Sequence, residues 1–289
     1  MLIVLEDGCG QMCNKLLQQV NYLASSYVRD YDLLYYNMES FSGFKLSQKE
    51  LERKLIKKSG NTKWPLTLAK VWFKSLRLLK IQSKCVFSAY DNDLVGTNFF
   101  LEKKHYLSHK AFSYGFPFLD IEALIKAGDL VRLYLEPDND VEKYIEQMQE
   151  RYSGEVCIGV HMRRGDYKYW QGGAYFYSNN QYKQVMDRVY DLLKNQNSTI
   201  NFRFLLFSNE KIEINEFQDK KYKVDHISGN AEQDFHMLSK CDYIVGPPST
   251  FSGLASFLGK VKRYTIYNYE YDLKLSDFLV WLEEDQTII

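Results

Sequence analysis

The residues best suited to chemistry stand together in one heptad, His161-Met162-Arg163-Arg164-Gly165-Asp166-Tyr167. An imidazole, two guanidiniums and a carboxylate follow Val156 to Met162, an apolar run that reads as a buried strand. Adjacent arginines beside a glycine turn suit phosphate oxygens, because planar guanidinium forks bond them in pairs. Arg163 could instead salt-bridge Asp166, and His161 could be a satisfied core side chain. Their place at a strand end, just before a glycine, favours function.

Three other segments fall at strand ends, where open parallel sheets bind ligands. In Pro247-Pro248-Ser249-Thr250-Phe251-Ser252-Gly253 a strand gives way to a helix near Ser249 or Thr250. Free N–H groups and hydroxyls at a helix start can cradle a diphosphate, or simply cap the helix. Gly8-Cys9-Gly10-Gln11-Met12-Cys13-Asn14 is a loose dinucleotide fingerprint, with Cys13 where the third glycine would stand. Its glycines, Gly10 included, let backbone approach a ligand, and Asn14 and Gln18 share a helix face. In Gly229-Asn230-Ala231-Glu232-Gln233-Asp234 the asparagine can cap a helix, and Asp234 either suits its first turn or holds a base or sugar hydroxyl. The loop after the arginines carries Tyr167, Tyr169, Trp170, Tyr175, Phe176 and Tyr177, six aromatics in 11 residues. Such faces could stack on a sugar ring, a base or an acceptor glycan.

The elements that must position these segments alternate. Leu2 to Leu5 reads as a strand, Leu16 to Val28 as a helix, and Leu33 to Tyr36 as a strand, a βαβ opening. Cys85 to Ser88 and Leu130 to Leu135 are strand candidates, Phe112 to Phe118 a loop and Asp120 to Ala127 a short helix. Pro137 opens a helix running to about Arg151. Strands at Val156–Met162, Phe202–Phe207, Tyr222–Ile227, Asp242–Val245 and Arg263–Tyr267 alternate with helices at Asn180–Lys194, Glu232–Lys240 and Phe251–Leu258; Leu275–Leu282 closes the chain as a helix. The pattern predicts parallel sheets covered on both faces, in two Rossmann-like halves: residues 1–150 and 151–289, with the last helix able to return to the first half.

Between 53 and 84 lie ten basic residues and no acidic one. Lys63, Lys70, Lys74, Arg77 and Lys84 share one face of a helical pattern, which is a basic surface helix or a contact for an anionic membrane or lipid-linked acceptor. Over the whole chain 37 basic residues balance 37 acidic ones, which argues against a nucleic-acid binder. The five cysteines have no framework spacing; reduced thiols and a cytoplasmic location are expected, with no signal peptide and no membrane span. Cys9 and Cys13 have no third ligand nearby, so no metal is expected. The absence of Gly-x-x-x-x-Gly-Lys-Ser/Thr leaves a kinase or NTPase unsupported.

The heptad resembles the motif of the α-1,2-fucosyltransferase family. Gly8, Gly10, Asn14 and Gln18 echo that family's Gly-x-Gly-Asn-x-x-x-Gln, with Gln11 in the place of its asparagine. Phe204 to Asn209 is similar to its strand ending in Ser-Asn, Glu232 to Asp242 to its Glu-Asp-Leu-x-x-Met-x-x-Cys-Asp, and Ser249-Thr250-Phe251-Ser252 to its Ser-Ser-Phe-Ser. The resemblance implies an α/β GT-B fold of two facing Rossmann-like domains. It further implies inverting transfer of fucose from GDP-fucose to a galactose hydroxyl of a glycan, without a metal cofactor. Arg163 or Arg164 would grip the β-phosphate, with Arg164→Ala expected to cost transfer far more than folding. Ser249, Thr250 and Phe251 would line the nucleotide side, with Gly10, Asn14, Asn209 and Asp234 as further contacts, while His161 and Asp166 would shape the site. His161, Asp166 and Glu232 are candidate bases. The chain departs from the family at Pro247-Pro248 and at Gly253-Leu254-Ala255, where Trp-Trp-Gly is common. Another nucleotide sugar, or glycan binding without catalysis, would also use such a fold.

Overall fold

The computed structural model describes residues 2–6, 11–29, 32–36, 41–45, 71, 75 and 119–287. Gly8, Cys9, Gly10, the strand expected at Cys85–Ser88, the loop at Phe112–Phe118 and the basic residues of 53–84 lie outside these. The described chain divides between Asp138 and Asn139 into two units.

The first unit opens as expected. Strand β1 (Leu2–Glu6), helix α1 (Met12–Arg29) and strand β2 (Asp32–Tyr36) form a βαβ unit with β1 and β2 parallel. Helix α1 buries Leu16, Leu17, Val20, Leu23 and Ala24, the stripe expected of a 3.6-residue period. Two short helices, α2 (Ile121–Lys126) and α3 (Gly128–Tyr134), pack on it. Asp120 caps α2 and ties it to α1 by accepting from Ser25 Oγ at 2.9 Å and Arg29 Nη2 at 3.1 Å. The strand expected at Leu130–Leu135 is this helix α3. Val131, Tyr134 and Leu135 are buried at helical spacing, whereas Leu133 is 52% exposed, so packing overrides local β-propensity.

The second unit begins with α4 (Asn139–Arg151). Five strands follow, β3 (Val156–Met162), β4 (Phe202–Ser208), β5 (Lys223–Ile227), β6 (Tyr243–Gly246) and β7 (Lys262–Thr265). All pair in parallel, in the order β5-β4-β3-β6-β7. Helices α5 (Asn179–Gln196), α6 (Ala231–Leu238) and α7 (Thr250–Gly259) make the crossovers. The order reverses between β3 and β6, so a crevice opens beyond their C-terminal ends.

Side-chain alternation along β3 separates two environments. Ile158, Val160 and Met162 join the core beneath α5, with Tyr182, Val185, Met186 and Val189. Gly159 lies on the other face, where an added Cβ would stand 2.4 Å from Leu238 of α6; that glycine lets α6 approach the sheet.

The helix expected at Leu275–Leu282 is absent. A single 3₁₀ turn, Leu275–Asp277, is followed by extended chain that pairs Leu279 with Arg263. Leu275, Phe278, Leu279 and Leu282 have helical spacing, but Leu282 takes φ 67°, and the Trp281 N–H donates to Ser256 Oγ of α7 at 3.1 Å. The segment therefore belongs to the second unit, with Trp281 wedged beneath α7.

Candidate active site

Two loops meet at the crevice. The first carries His161 to Tyr167 off β3; the second carries Pro247 to Phe251 off β6. Gly246, which ends β6, faces His161, and a Cβ there would lie 2.8 Å from the His161 carbonyl. Tyr167 is buried, and its hydroxyl donates to the Pro248 carbonyl, locking one loop to the other. Burial pushes that phenol up to about 12, so it stays protonated as the donor.

The two arginines of the motif have different neighbours. His161 stacks on Phe251, with ring centroids 5.0 Å apart, on the α7 side. Arg163, just past the strand end, packs over Tyr167 at 5.3 Å and pairs with Asp166 at 2.8 Å. Arg164 turns to the other face. It donates to the Tyr177 carbonyl at 2.7 Å and to Asn179 Oδ1, and lies 5.5 Å from the Tyr182 ring of α5. Its own N–H donates to Asn209 Oδ1 at 3.1 Å, which ties the end of β4 to the loop. Gly165 takes φ 59°, a left-handed conformation that favours glycine, and a Cβ there would crowd Asn209 Nδ2 at 3.1 Å.

Helix α7 presents its N-terminus beside His161. Ser249 is the N-cap, its hydroxyl accepting from the Phe251 N–H at 3.3 Å, and Thr250 opens the helix. No acidic residue stands in this first turn, so the positive end of the helix dipole keeps its charge for a ligand.

His161 is 5% exposed, and its Nδ1 has no partner. Burial, then the Arg163 and Arg263 charges, pull its pKa down to about 3. It is a neutral imidazole at physiological pH. Arg263 carried no signal in the sequence, since a basic residue in a short strand reads as solvent-facing. Here it is 2% exposed. Its Nε and Nη2 donate to Thr265 Oγ1 at 3.0 and 2.5 Å, while Nη1 is unpartnered. Burial lowers its pKa to about 10, which leaves it a cation. Nη1 and the Trp281 ring fill the space beside Gly253, where a Cβ would meet them at 2.7 and 2.8 Å. The glycine in place of the usual tryptophan thus makes room for an arginine and for a tryptophan supplied from elsewhere in the chain.

Asp234 sits in the first turn of α6 and accepts from the Gly229 N–H at 3.0 Å; the cap itself is Asn230, in a capping box with Gln233. Burial raises the Asp234 carboxyl to about 7. Its neighbour Phe235 packs edge-on against Phe251 at 5.8 Å, while the Asp234 charge acts on Tyr144 of α4. The structure thus brings His161, Arg163, Asp166, Ser249, Thr250 and Phe251 to one strand-end crevice, with Asn209 and Asp234 on neighbouring elements. Asn14 lies on α1 in the first unit, and Gly10 outside the described residues. Among the described residues no group of three or more His, Cys, Asp or Glu could hold a metal, and no helix is long and apolar enough to cross a membrane. Cys13, Cys157 and Cys241 are buried thiols that form no disulfide.

Solved structures share this architecture. POFUT1 in complex with GDP-fucose matches 90% of this chain and 94% of its own, at 12% identity and a TM-score of 0.55. NodZ alpha-1,6-fucosyltransferase, soaked with GDP-fucose, matches 96% of each chain at 13% identity and 0.56. A variant of Arabidopsis thaliana FUT1 in complex with GDP matches 96% of this chain and 73% of its own, at 14% identity and 0.54. At such identities the likeness is one of fold, an α/β fold with a parallel Rossmann-like sheet. A comparison with curated protein sequences returns no match. The profile of glycosyl transferase family 11 matches residues 90–286, and the chain belongs to that family.

Proposed function

We propose that this glycosyltransferase is an inverting α-1,2-fucosyltransferase, moving fucose from GDP-fucose to the 2-hydroxyl of a galactose on a glycan acceptor. The observation that carries the proposal is the stacking of His161 on Phe251 at the sheet's switch point, which sets the loop bearing Arg163 beside an α7 N-terminal turn that holds no acidic residue. A leaving diphosphate needs positive charge there, and the fixed groups supply it without reorganising. The GDP and GDP-fucose held by the similar structures support the choice of donor.

In this reading Arg163 grips the β-phosphate, and Ser249, Thr250 and the Phe251 N–H line the diphosphate. Asp166 orients Arg163. Arg164 holds the loop to α5 and Asn209 holds the same loop to β4, so both serve the frame of the site. Asp234 receives the base. The acceptor oxygen attacks the fucose anomeric carbon as the carbon–oxygen bond to the diphosphate breaks, and the hydroxyl proton passes to Asp166, Glu232 or water. His161 is too weak a base for that task at about 3 and acts as a neutral, stacked wall. In this GT-B reading residues 1–150 form the acceptor-side domain, residues 151–289 bind the nucleotide, and Gly10 and Asn14 are further donor contacts. The basic stretch of 53–84 supports work at the inner face of an anionic membrane, on a lipid-linked acceptor.

The test is turnover of GDP-fucose with lactose and with N-acetyllactosamine, the product linkage read by NMR. A fucose on galactose C2 is expected. A different linkage would keep the donor and discard the acceptor hydroxyl, whereas turnover only with a uridine-diphosphate sugar would discard fucose.

A further inference from the structure

Exposed apolar rings are concentrated on one part of the second unit. Among its described residues the exposed large hydrophobic side chains are Tyr169, Phe176, Tyr267, Tyr271 and Leu275. All five come from two loops, 169–176 after β3 and 267–275 after β7, although the unit spans residues 139–289. Scatter would be ordinary on a protein surface; concentration beside a ligand crevice is not.

The two loops join through their rings. Tyr167 packs on Trp170 at 4.7 Å, Trp170 on Tyr175 at 5.5 Å, and Tyr175 on Tyr267 at 6.2 Å. This track begins at Arg163, which lies over Tyr167, and ends at Tyr267, which is 49% exposed. A second ring contact, Tyr177 with Tyr269 at 6.1 Å, holds the loops together below it. Lys168 lies over the Tyr169 ring and Arg164 over Phe176, so those two faces already carry cations; the half-buried Trp170 and Tyr175 and the exposed Tyr267 form the track itself. The backbone under Trp170 is fixed in an uncommon shape. Gln171, Gly172 and Gly173 take φ 51°, 66° and 80° in succession, and a Cβ on Gly173 would meet the Lys168 carbonyl at 3.0 Å.

We propose that Trp170, Tyr175 and Tyr267 form the platform on which the acceptor saccharide lies, a neutral pyranose chain that stacks its C–H faces on these rings and leads its reacting hydroxyl toward Arg163. The inference rests on the transferase reading, because the track starts at the arginine that reading assigns to the diphosphate. Rings suit a sugar better than aliphatic side chains would, since their negative faces meet polarised C–H bonds while their edges tolerate hydroxyls. Rings, not charges, line the track between Arg163 and Tyr267, which suits an uncharged occupant.

Saturation-transfer NMR on the full chain tests this, with lactose, cellobiose and N,N′-diacetylchitobiose as probes and GDP present. At least one probe should receive saturation at its pyranose C–H protons. The effect should weaken about tenfold in Trp170→Ala and in Tyr267→Ala, with GDP affinity within about twofold of the parent and melting within about 2 °C. A parent that binds GDP but saturates none of the three sugars overturns the platform. So does a saturation that both variants keep. Variants that bind GDP but melt several degrees lower assign the rings to packing instead. A parent that ignores GDP yet saturates a sugar through Trp170 and Tyr267 sinks the donor reading and leaves the platform standing.

Discussion

Replacing Asp234 by asparagine should stabilise the protein above neutral pH and leave it nearly unchanged in acid. The folded protein holds this carboxyl at about 7, against an ordinary value of 3.8, because burial penalises the charged form. Between those values the folded state binds more protons than the unfolded chain. Stability therefore falls as pH rises through that window, and the deficit is complete above the folded value. At roughly 1.4 kcal/mol for each tenfold in proton affinity, the full deficit is about 4 kcal/mol. Water reaching the partly exposed carboxyl reduces it, so about 2–4 kcal/mol is expected. Asparagine keeps an oxygen for the Gly229 N–H and removes the charge. Urea unfolding of both proteins, from about pH 4 to about pH 8, reads the difference directly. The two should agree near pH 4 and separate progressively, with the variant more stable. A constant offset across the range would refute the reasoning by showing no pKa shift on folding, and a variant less stable near pH 8 would show that the folded protein stabilises the carboxylate. The same carboxylate is assigned to the base of the donor, so the more stable variant should bind GDP more weakly.

Three further outcomes follow from the geometry. Arg164→Ala should cost about 1.5–3 kcal/mol of stability in urea, because it strips the Tyr177 carbonyl of a charged donor, and Arg164→Lys should not restore both bonds. Gly253→Ala should cost about 1–3 kcal/mol, since its Cβ would press on Arg263 and Trp281; unfolding midpoints check this, and a neutral result would mean that both side chains move easily. Cys157 and Cys241 should resist thiol reagents in the native protein and label only on unfolding, because burial raises both thiols; mass spectrometry of labelled peptides decides.

The second unit is legible because β3, β4 and β6 are largely apolar runs, glycine or proline follows β3, β5 and β6 closely, and its helices carry clear caps. His161, Arg163 and Ser249 could be placed at strand ends on that basis alone. What the sequence did not carry was direction. Arg163 and Arg164 are chemically alike, and only the folded loop pairs one with Asp166 and Tyr167 and sends the other to Asn179 and Tyr182 of α5. The expectation that Arg164→Ala costs transfer more than folding rests on that likeness, and the bonds of Arg164 to Tyr177 and Asn179 motivate the opposite prediction made above. Arg263 was invisible because its burial depends on the C-terminal segment closing over it. That segment was itself misread: Leu275, Phe278, Leu279 and Leu282 repeat like a helix, but the fit of Trp281 beside Gly253 draws the chain out. At Leu130–Leu135 the error ran the other way, a β-like composition held helical by contacts with α1.

In the proposed mechanism Arg163, and not Arg164, holds the diphosphate of a guanine nucleotide sugar. Calorimetric titration of GDP-fucose into the parent, Arg163→Ala and Arg164→Ala tests it most directly, with each protein's melting temperature measured alongside. Arg163→Ala should melt close to the parent and lose about 2–3 kcal/mol of binding, roughly a hundredfold in Kd, whereas Arg164→Ala should melt lower and keep most of its affinity. An Arg163→Ala protein that binds GDP-fucose as the parent does would contradict the account.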